Sequence, residues 1–262
     1  MESINKIAER VLEDIKTNEN KSKYYEHDNY IKKCKVCGDI TEVSENGIST
    51  RSNCKCIERS GFIKETKPFR DLSIFSSDYE KKTFNNSNYE NEKEKKFIES
   101  FKRYCNKFTE LKENGIGISM LGYAGTGKTH LKTCIYNELS SKYKIISLRI
   151  SDYFRSLRKS NNWDIQEDNI LSLVKQADIL MIDDIGSEKI SDDWGKEKLF
   201  NLIDTAYMNN TCMILSSNLS QNNFESFLKF FGSDKICDRI AERNKVFIFD
   251  WESRRRKNKI EW

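Results

Sequence analysis

Proline is nearly absent: Pro68 is the only one among 262 residues, and no low-complexity tract or internal repeat breaks the chain. Long apolar runs are missing too. None approaches the roughly 18 residues needed to cross a bilayer, which argues against a membrane-spanning helix. The opening Met1-Glu2-Ser3-Ile4-Asn5-Lys6 is charged and lacks the apolar centre of a signal peptide. The expected setting is therefore cytoplasmic, with no membrane partner, and the eight cysteines are expected to be thiols or metal ligands rather than disulfides. No strong charge imbalance exists either. With 45 basic and 41 acidic residues the net charge is +4, so any nucleic-acid surface must be a local patch. Charged residues at 33% and hydrophobic residues at 37% fit a folded, water-exposed chain long enough for one medium domain and a small one.

What is present is a phosphate-binding loop. Gly122-Tyr123-Ala124-Gly125-Thr126-Gly127-Lys128-Thr129 satisfies G-x-x-x-x-G-K-[ST] in full. Backbone N–H groups with little side chain in the way wrap a polyphosphate, and the following helix aims its positive end at the same charge. Lys128 is placed to reach the β- and γ-phosphates, and the Thr129 hydroxyl to hold Mg²⁺. The apolar run Ile116–Leu121 before the loop reads as a strand, and His130–Leu139 after it as helix.

Around this motif the chain alternates strand and helix. Apolar strand candidates are 116–121, 144–150, 179–183, 212–216 and 246–249, separated by helices at 128–140, 164–176 and 193–208. Strands separated by helices imply a parallel sheet covered on both faces. Upstream, Phe97, Phe101, Tyr104, Phe108 and Leu111 recur at helical spacing, predicting one helix from about Glu90 to Lys112. Ile4, Ile7, Val11 and Ile15 predict another from Glu2 to Thr17. The polar stretch from Ser60 to Tyr89 reads as a linker. The expected organisation is an N-terminal domain at 1–65, a linker at 66–89 and an ATPase domain at 90–262.

Ile179-Leu-Met-Ile182 followed by Asp183-Asp184 is a buried strand delivering carboxylates beside the phosphate loop, as Mg²⁺ requires. Asp183 is expected to reach Mg²⁺ through its water ligands, and Asp184 to polarise the attacking water. The strand 212–216 leads to Asn218, whose amide either orients water and the γ-phosphate or simply caps the loop.

Together the phosphate loop, Asp183-Asp184-Ile185-Gly186 and Ser216-Ser217-Asn218-Leu219 resemble AAA+ ATPases of the DnaC/DnaI/IstB group. Asp238-Arg239-Ile240, the strand 246–249 and Asp250-Trp251-Glu252-Ser253-Arg254-Arg255 extend the likeness to the C-terminus of DnaC-type helicase loaders. The resemblance implies a five-stranded parallel sheet flanked by helices. It also implies that Asn218 is the first sensor, Arg239 the arginine finger acting on a neighbouring subunit's nucleotide, and Arg255 the second sensor. Arg243 is a rival for the finger, and Arg254 and Arg256 are expected as solvated neighbours. Many members of the superfamily carry Glu where this chain has Asp184, one methylene shorter, so slow hydrolysis is expected.

Cys34-Lys35-Val36-Cys37 and Cys54-Lys55-Cys56 form C-x₂-C-x₁₆-C-x-C. Four thiolates at this spacing predict a tetrahedral Zn²⁺ that organises a small, helical N-terminal domain, with His27 an alternative to one thiolate. DnaI-type loaders resemble this arrangement, in which the N-terminal module meets the replicative helicase. Arg155, Arg158 and Lys159 share one face of a helix near Tyr153 and Phe154, a pattern for single-stranded DNA. The expected function is an ATP-dependent loader of a hexameric replicative helicase onto single-stranded DNA, using ATP/ADP, Mg²⁺ and Zn²⁺. The alternatives are an IstB-like regulator of a transposase on duplex DNA, a nucleotide-gated adaptor with negligible turnover, and a P-loop kinase.

Overall fold

The structure, a computed structural model, describes residues 9–11, 30–33, 40–45, 48–51, 62–73, 81–160, 162–187, 193–229 and 234–254. The chain divides into two units, Met1–Glu65 and Thr66–Trp262.

In the first unit, β1 (Tyr30–Lys33), β2 (Ile40–Glu45) and β3 (Ile48–Arg51) form an antiparallel sheet in that order. This corrects the expectation of a helical domain. The β-branched residues Ile40, Thr41, Val43, Ile48 and Thr50 favour strands, and Asn46-Gly47 between them is a hairpin signal that helical patterning overlooked. Of the helix expected from Glu2 to Thr17, residues 9–11 are described and are helical, and Val11 is buried with Val43. Cys34, Cys37, Cys54 and Cys56 lie outside the described residues, and among the described residues no group of metal-ligating side chains converges.

The second unit is built on five parallel strands: β4 (Gly117–Gly122), β5 (Ile145–Arg149), β6 (Ile179–Ile185), β7 (Cys212–Ser217) and β8 (Asn244–Phe249). Their order across the sheet is β5-β6-β7-β4-β8. The strand carrying the phosphate loop therefore lies between β7 and β8, while β6 lies beyond β7. Strand periodicity sorts the core: Ile179 and Met181 face one hydrophobic cluster, Leu180 and Ile182 the other. The same alternation carries Asp183 onto the face of Ile179 and Met181, which is covered by α4 (Lys128–Leu139) through Leu131, Cys134 and Ile135.

Helices α5 (Ile150–Lys159), α6 (Trp163–Gln176), α7 (Asp193–Met208), α8 (Gln221–Leu228) and α9 (Lys235–Arg243) complete the connections. The expected helix from Glu90 to Lys112 is two, α2 (Glu92–Asn106) and α3 (Phe108–Glu113). A break at Lys107 turns Phe108, 1% exposed, into the core against Tyr143.

The segment expected as a linker is only partly irregular. Thr66 and Pro68 start α1 (Lys67–Leu72), because proline presets the backbone of a first helical turn. Phe69 of α1 is buried in the main core, and Ser73 Oγ accepts the Ser147 N–H of edge strand β5 at 2.9 Å. Farther on, Phe84 is buried in the other cluster, and Asn137 Nδ2 of α4 donates to Lys82 O. Among the described residues no helix is long and apolar enough to cross a membrane.

Candidate functional site

The loop Gly122–Gly127 leaves β4 through three left-handed glycines, Gly122 (φ +119°), Gly125 (φ +78°) and Gly127 (φ +100°). At Gly125 the left-handed backbone favours glycine, and a Cβ there would also press on the Ser253 side chain. Gly127 caps α4, whose N-terminus thus opens directly onto the loop. Lys128 Nζ donates to Gly122 O at 2.8 Å and Tyr123 O at 2.6 Å, and Thr126 Oγ1 donates to Tyr123 O at 2.7 Å. The C-terminal tail clamps the loop from outside. Tyr123 N–H donates to Phe249 O, Trp251 Nε1–H to Thr126 O at 3.1 Å, and Arg254 N–H to Gly125 O at 3.0 Å.

At the C-terminal ends of the strands, where open α/β sheets bind ligands, lies a polar cavity of about 500 Å³. It brings together Lys128, Thr129, Asp183, Asp184 and Asn218, joined by Arg149 and Arg254. Asp183 is on its floor, 4% exposed. Lys132 Nζ sits 2.9 Å from its Oδ2, and Ser216 Oγ donates to its Oδ1. Burial pushes the Asp183 carboxyl up, but Lys132 and the Ser216 hydroxyl outweigh it and hold the group below the usual carboxylate value.

Asp184 is the strained neighbour. The β6–β7 register shifts between Ile182 and Ile185, and Asp184 takes φ +59°, a left-handed conformation that aspartate tolerates better than most residues. Its N–H donates to Ser216 Oγ at 3.3 Å. Its carboxylate lies 3.7 Å from Arg149 Nε and receives Asn218 Nδ2 at 3.4 Å.

A P-loop at a helix N-terminus beside a bulged strand of carboxylates is a nucleotide site, and the family model of the IstB-like ATP binding protein matches residues 57–261. The chain belongs to the IstB-like ATP-binding family. Its likeness to the replicative helicase loader DnaC of Buchnera aphidicola subsp. Acyrthosiphon pisum is 28% identity over 177 residues, 66% of this chain and 69% of that protein. The phage-like element PBSX protein XkdC of Bacillus subtilis is 29% identical over 201 residues, 72% of this chain and 71% of its own length. Among solved structures, the DnaI crystal structure superposes with a TM-score of 0.57 at 20% identity, covering 72% of this chain and all of that one (100%). The DnaC helicase loader gives 0.56 at 21%, covering 66% and 99%. At this identity the superpositions establish the AAA+ fold.

In this IstB-like protein the arginines separate. Arg239, 14% exposed at its side chain, pairs with Asp204 and stacks over Tyr207 at 4.8 Å, away from the chain's own nucleotide cavity. Arg243 stacks on the same ring at 4.7 Å and donates to Asn114 O and Asn210 Oδ1. Arg255 lies outside the described residues. Arg254, expected in solvent, instead lines the cavity and pairs with Glu94, a 2% exposed carboxylate at the start of α2.

On α5, Arg155, Arg158 and Lys159 are exposed, but Tyr153 (2% exposed) and Phe154 (5%) are buried. Those rings cannot stack on bases, because period-3.6 spacing puts them on the core face. Beside the basic residues the structure brings Trp163 and Trp194, whose rings meet edge to face at 6.2 Å, with the Arg158 guanidinium 4.8 Å from Trp194.

Sequence reasoning missed Arg149, Lys132 and Ser216. A signal existed for each: Arg149 ends β5 beside β6, Lys132 is one turn beyond Lys128, and Ser216 is the last but one residue of β7, on the Asp183 face.

Proposed function

We propose that this chain is an ATP-dependent loader that places a hexameric replicative helicase on single-stranded DNA during replication initiation. The observation that carries the reading is the clamp between loop and tail. Residues Trp251 and Arg254, within the segment resembling DnaC-type loaders, hold the Thr126 and Gly125 carbonyls of the phosphate loop. Nucleotide occupancy is thereby tied to the C-terminal tail.

In this reading Gly122–Thr129 wrap the phosphates of ATP or ADP, and Lys128 exchanges the loop carbonyls for phosphate oxygens. The oxygen donors of Thr129 and Asp183 suit Mg²⁺, held by the hydroxyl and, through water, by the carboxylate. When bound, the ion supplies charge neutralisation on the phosphates. Asp184 orients and deprotonates the attacking water, and Asn218 fixes both Asp184 and the γ-phosphate. Arg239 acts on a neighbour's nucleotide after exchanging Asp204 for phosphate, and Arg255 contacts phosphate in its own subunit. Turnover then depends on assembly.

Single-stranded DNA lies along Arg155, Arg158 and Lys159, with Trp163 and Trp194 supplying aromatic surface. A chain of ion pairs supports a dependence of hydrolysis on DNA. Arg149 lies 3.7 Å from both Asp184 and Asp152, and Arg155 Nη1 pairs with Asp152 at 3.2 Å. A phosphate that draws Arg155 away leaves Asp152 to compete for Arg149, releasing Asp184.

The N-terminal unit holds the helicase, organised by Zn²⁺ on Cys34, Cys37, Cys54 and Cys56. The strands β1 and β3 finish, at Lys33 and Arg51, at the same end of the sheet where β2 begins, since Lys33 opposes Ile40 and Arg51 opposes Glu42. Elemental analysis should give one zinc per chain, lost on replacing Cys34 and Cys37 by serine.

The deciding experiment is size-exclusion chromatography with light scattering of this chain mixed with its cell's replicative helicase, with and without ATP. A complex larger than the helicase hexamer, lost when residues 1–60 are removed, is the expected result. No complex under either condition, with preference for duplex DNA, would instead favour the transposase regulator.

A further inference from the structure

Behind the floor of the cavity lies a lysine that the proposed reaction does not use. Lys132 follows Lys128 by one helical turn on α4, is 3% exposed, and is not among the residues lining the cavity. Its ammonium lies beneath Asp183, 2.9 Å from Oδ2, while the Ser216 hydroxyl occupies Oδ1. Both oxygens of the Asp183 carboxylate therefore have donors from the protein itself. A buried carboxylate without a partner is costly, and in many sites a metal ion removes that cost. Here the Lys132 ammonium on the neighbouring helix does so; burial lowers its pKa, and contact with Asp183 opposes that shift.

We propose that Lys132 is a positioning residue that acts as an internal counter-ion to Asp183, so that nucleotide binds with little help from Mg²⁺ and Mg²⁺ binds weakly. The argument is electrostatic. A lysine ammonium in contact with Asp183 cancels most of the negative potential that would attract a divalent ion to the adjacent water shell. In a buried, weakly screened place a unit charge this close outweighs surface charges many residues away. The hydrogen bonds on Asp183 also keep its carboxylate oriented, so the geometry does not depend on a metal to assemble it. The proposal rests on the nucleotide-binding reading of the site.

A fluorescent ATP analogue titrated against the full chain, at a series of free Mg²⁺ concentrations starting from excess chelator, provides the test. The wild-type affinity should rise less than about tenfold across the series. In Lys132→Gln, which keeps a hydrogen bond but removes the charge, the half-saturating Mg²⁺ concentration should fall at least about tenfold. Affinity at zero Mg²⁺ should fall as well. Lys132→Arg, which restores the charge, should follow the wild-type curve. Coincident curves for Lys132→Gln and wild type would overturn the proposal. Should Lys132→Gln fail to fold, the wild type still decides: a strengthening by Mg²⁺ of more than about a hundredfold overturns it. Absence of any analogue binding by the wild type would instead sink the nucleotide reading.

Discussion

Asp183 and Asp184 are adjacent in sequence and opposite in circumstance. Asp183 is 5% exposed at its side chain, with an ammonium and a hydroxyl at hydrogen-bond distance. Asp184 is 35% exposed, strained at φ +59°, and its partners Arg149 and Asn218 stand off at 3.7 and 3.4 Å. Breaking a buried pair costs about 3–5 kcal/mol, whereas exposed pairs contribute about 0.2–1 kcal/mol. The floor of the cavity is therefore part of the fold, while its rim is held loosely enough to be re-aimed by a ligand. A site that waits for assembly before hydrolysing, as proposed above, needs both.

The sharpest way to break the comparison is Asp184→Asn. Removing the base while keeping its shape should reduce ATP turnover by about 10²–10⁴, with melting temperature and nucleotide affinity almost unchanged. Single-turnover assays beside thermal melts check this, and normal turnover would remove Asp184 from the mechanism. Ser216→Ala probes the hinge between the two regions. Ser216 donates to Asp183 and accepts from the Asp184 N–H, so its loss leaves a buried carboxylate short of a donor and a strained peptide without support. A loss of about 1–3 kcal/mol in chemical denaturation is expected, accompanied by a drop in turnover. Unchanged stability would show that the floor is not held as described.

Arg149→Ala acts on the rim alone. Arg149 is 47% exposed, so the stability change should stay within about 0.5 kcal/mol. The kinetic signature should be a two- to threefold change, in the range of about 0.2–1 kcal/mol, with basal turnover raised and stimulation by single-stranded DNA lost. Retained stimulation would separate the α5 face from Asp184.

Most of the sheet was legible because buried parallel strands are written as short apolar runs, and all five candidates correspond to β4 to β8 within a few residues. The phosphate loop was legible for a different reason: its backbone conformation admits almost no other residues than glycine. What remained hidden depended on contacts distant in sequence. The Asp183–Lys132 pair needs the alternation of β6 and the phase of α4 together, and neither alone announces it. Arg254 was misplaced because a run of arginines gives no hint of which one faces Glu94, 160 residues earlier. Tyr153 and Phe154 were misread as surface because aromatic composition does not state which side of a helix is buried. The 66–89 stretch reads as linker in the sequence because the six residues of α1 are too few to show helical periodicity, although Pro68 marks a first turn.

The smallest expected effect concerns the rim's titration. His130, half-buried on the first turn of α4, places Nε2 2.8 Å from Ser87 Oγ and lines the cavity with Lys82 and Arg254. Burial first, then those two cations, lower its pKa below the ordinary 6.5, with Glu94 opposing. The folded chain thus keeps His130 neutral where the unfolded chain has begun to protonate. Stability from this group is present above about pH 6.5 and declines as pH falls through it. Asp183 contributes nothing in that window, because its lowered pKa moves any loss below 3.8. Bound polyphosphate adds negative charge beside His130 and should raise its pKa toward normal. Melting temperatures between about pH 7.5 and about pH 5.5 should therefore fall in the free chain, fall less with ATP, and flatten in His130→Gln. A slope unaffected by His130→Gln would assign the acid sensitivity to another group and leave the rim's electrostatics to Lys82, Arg149 and Arg254.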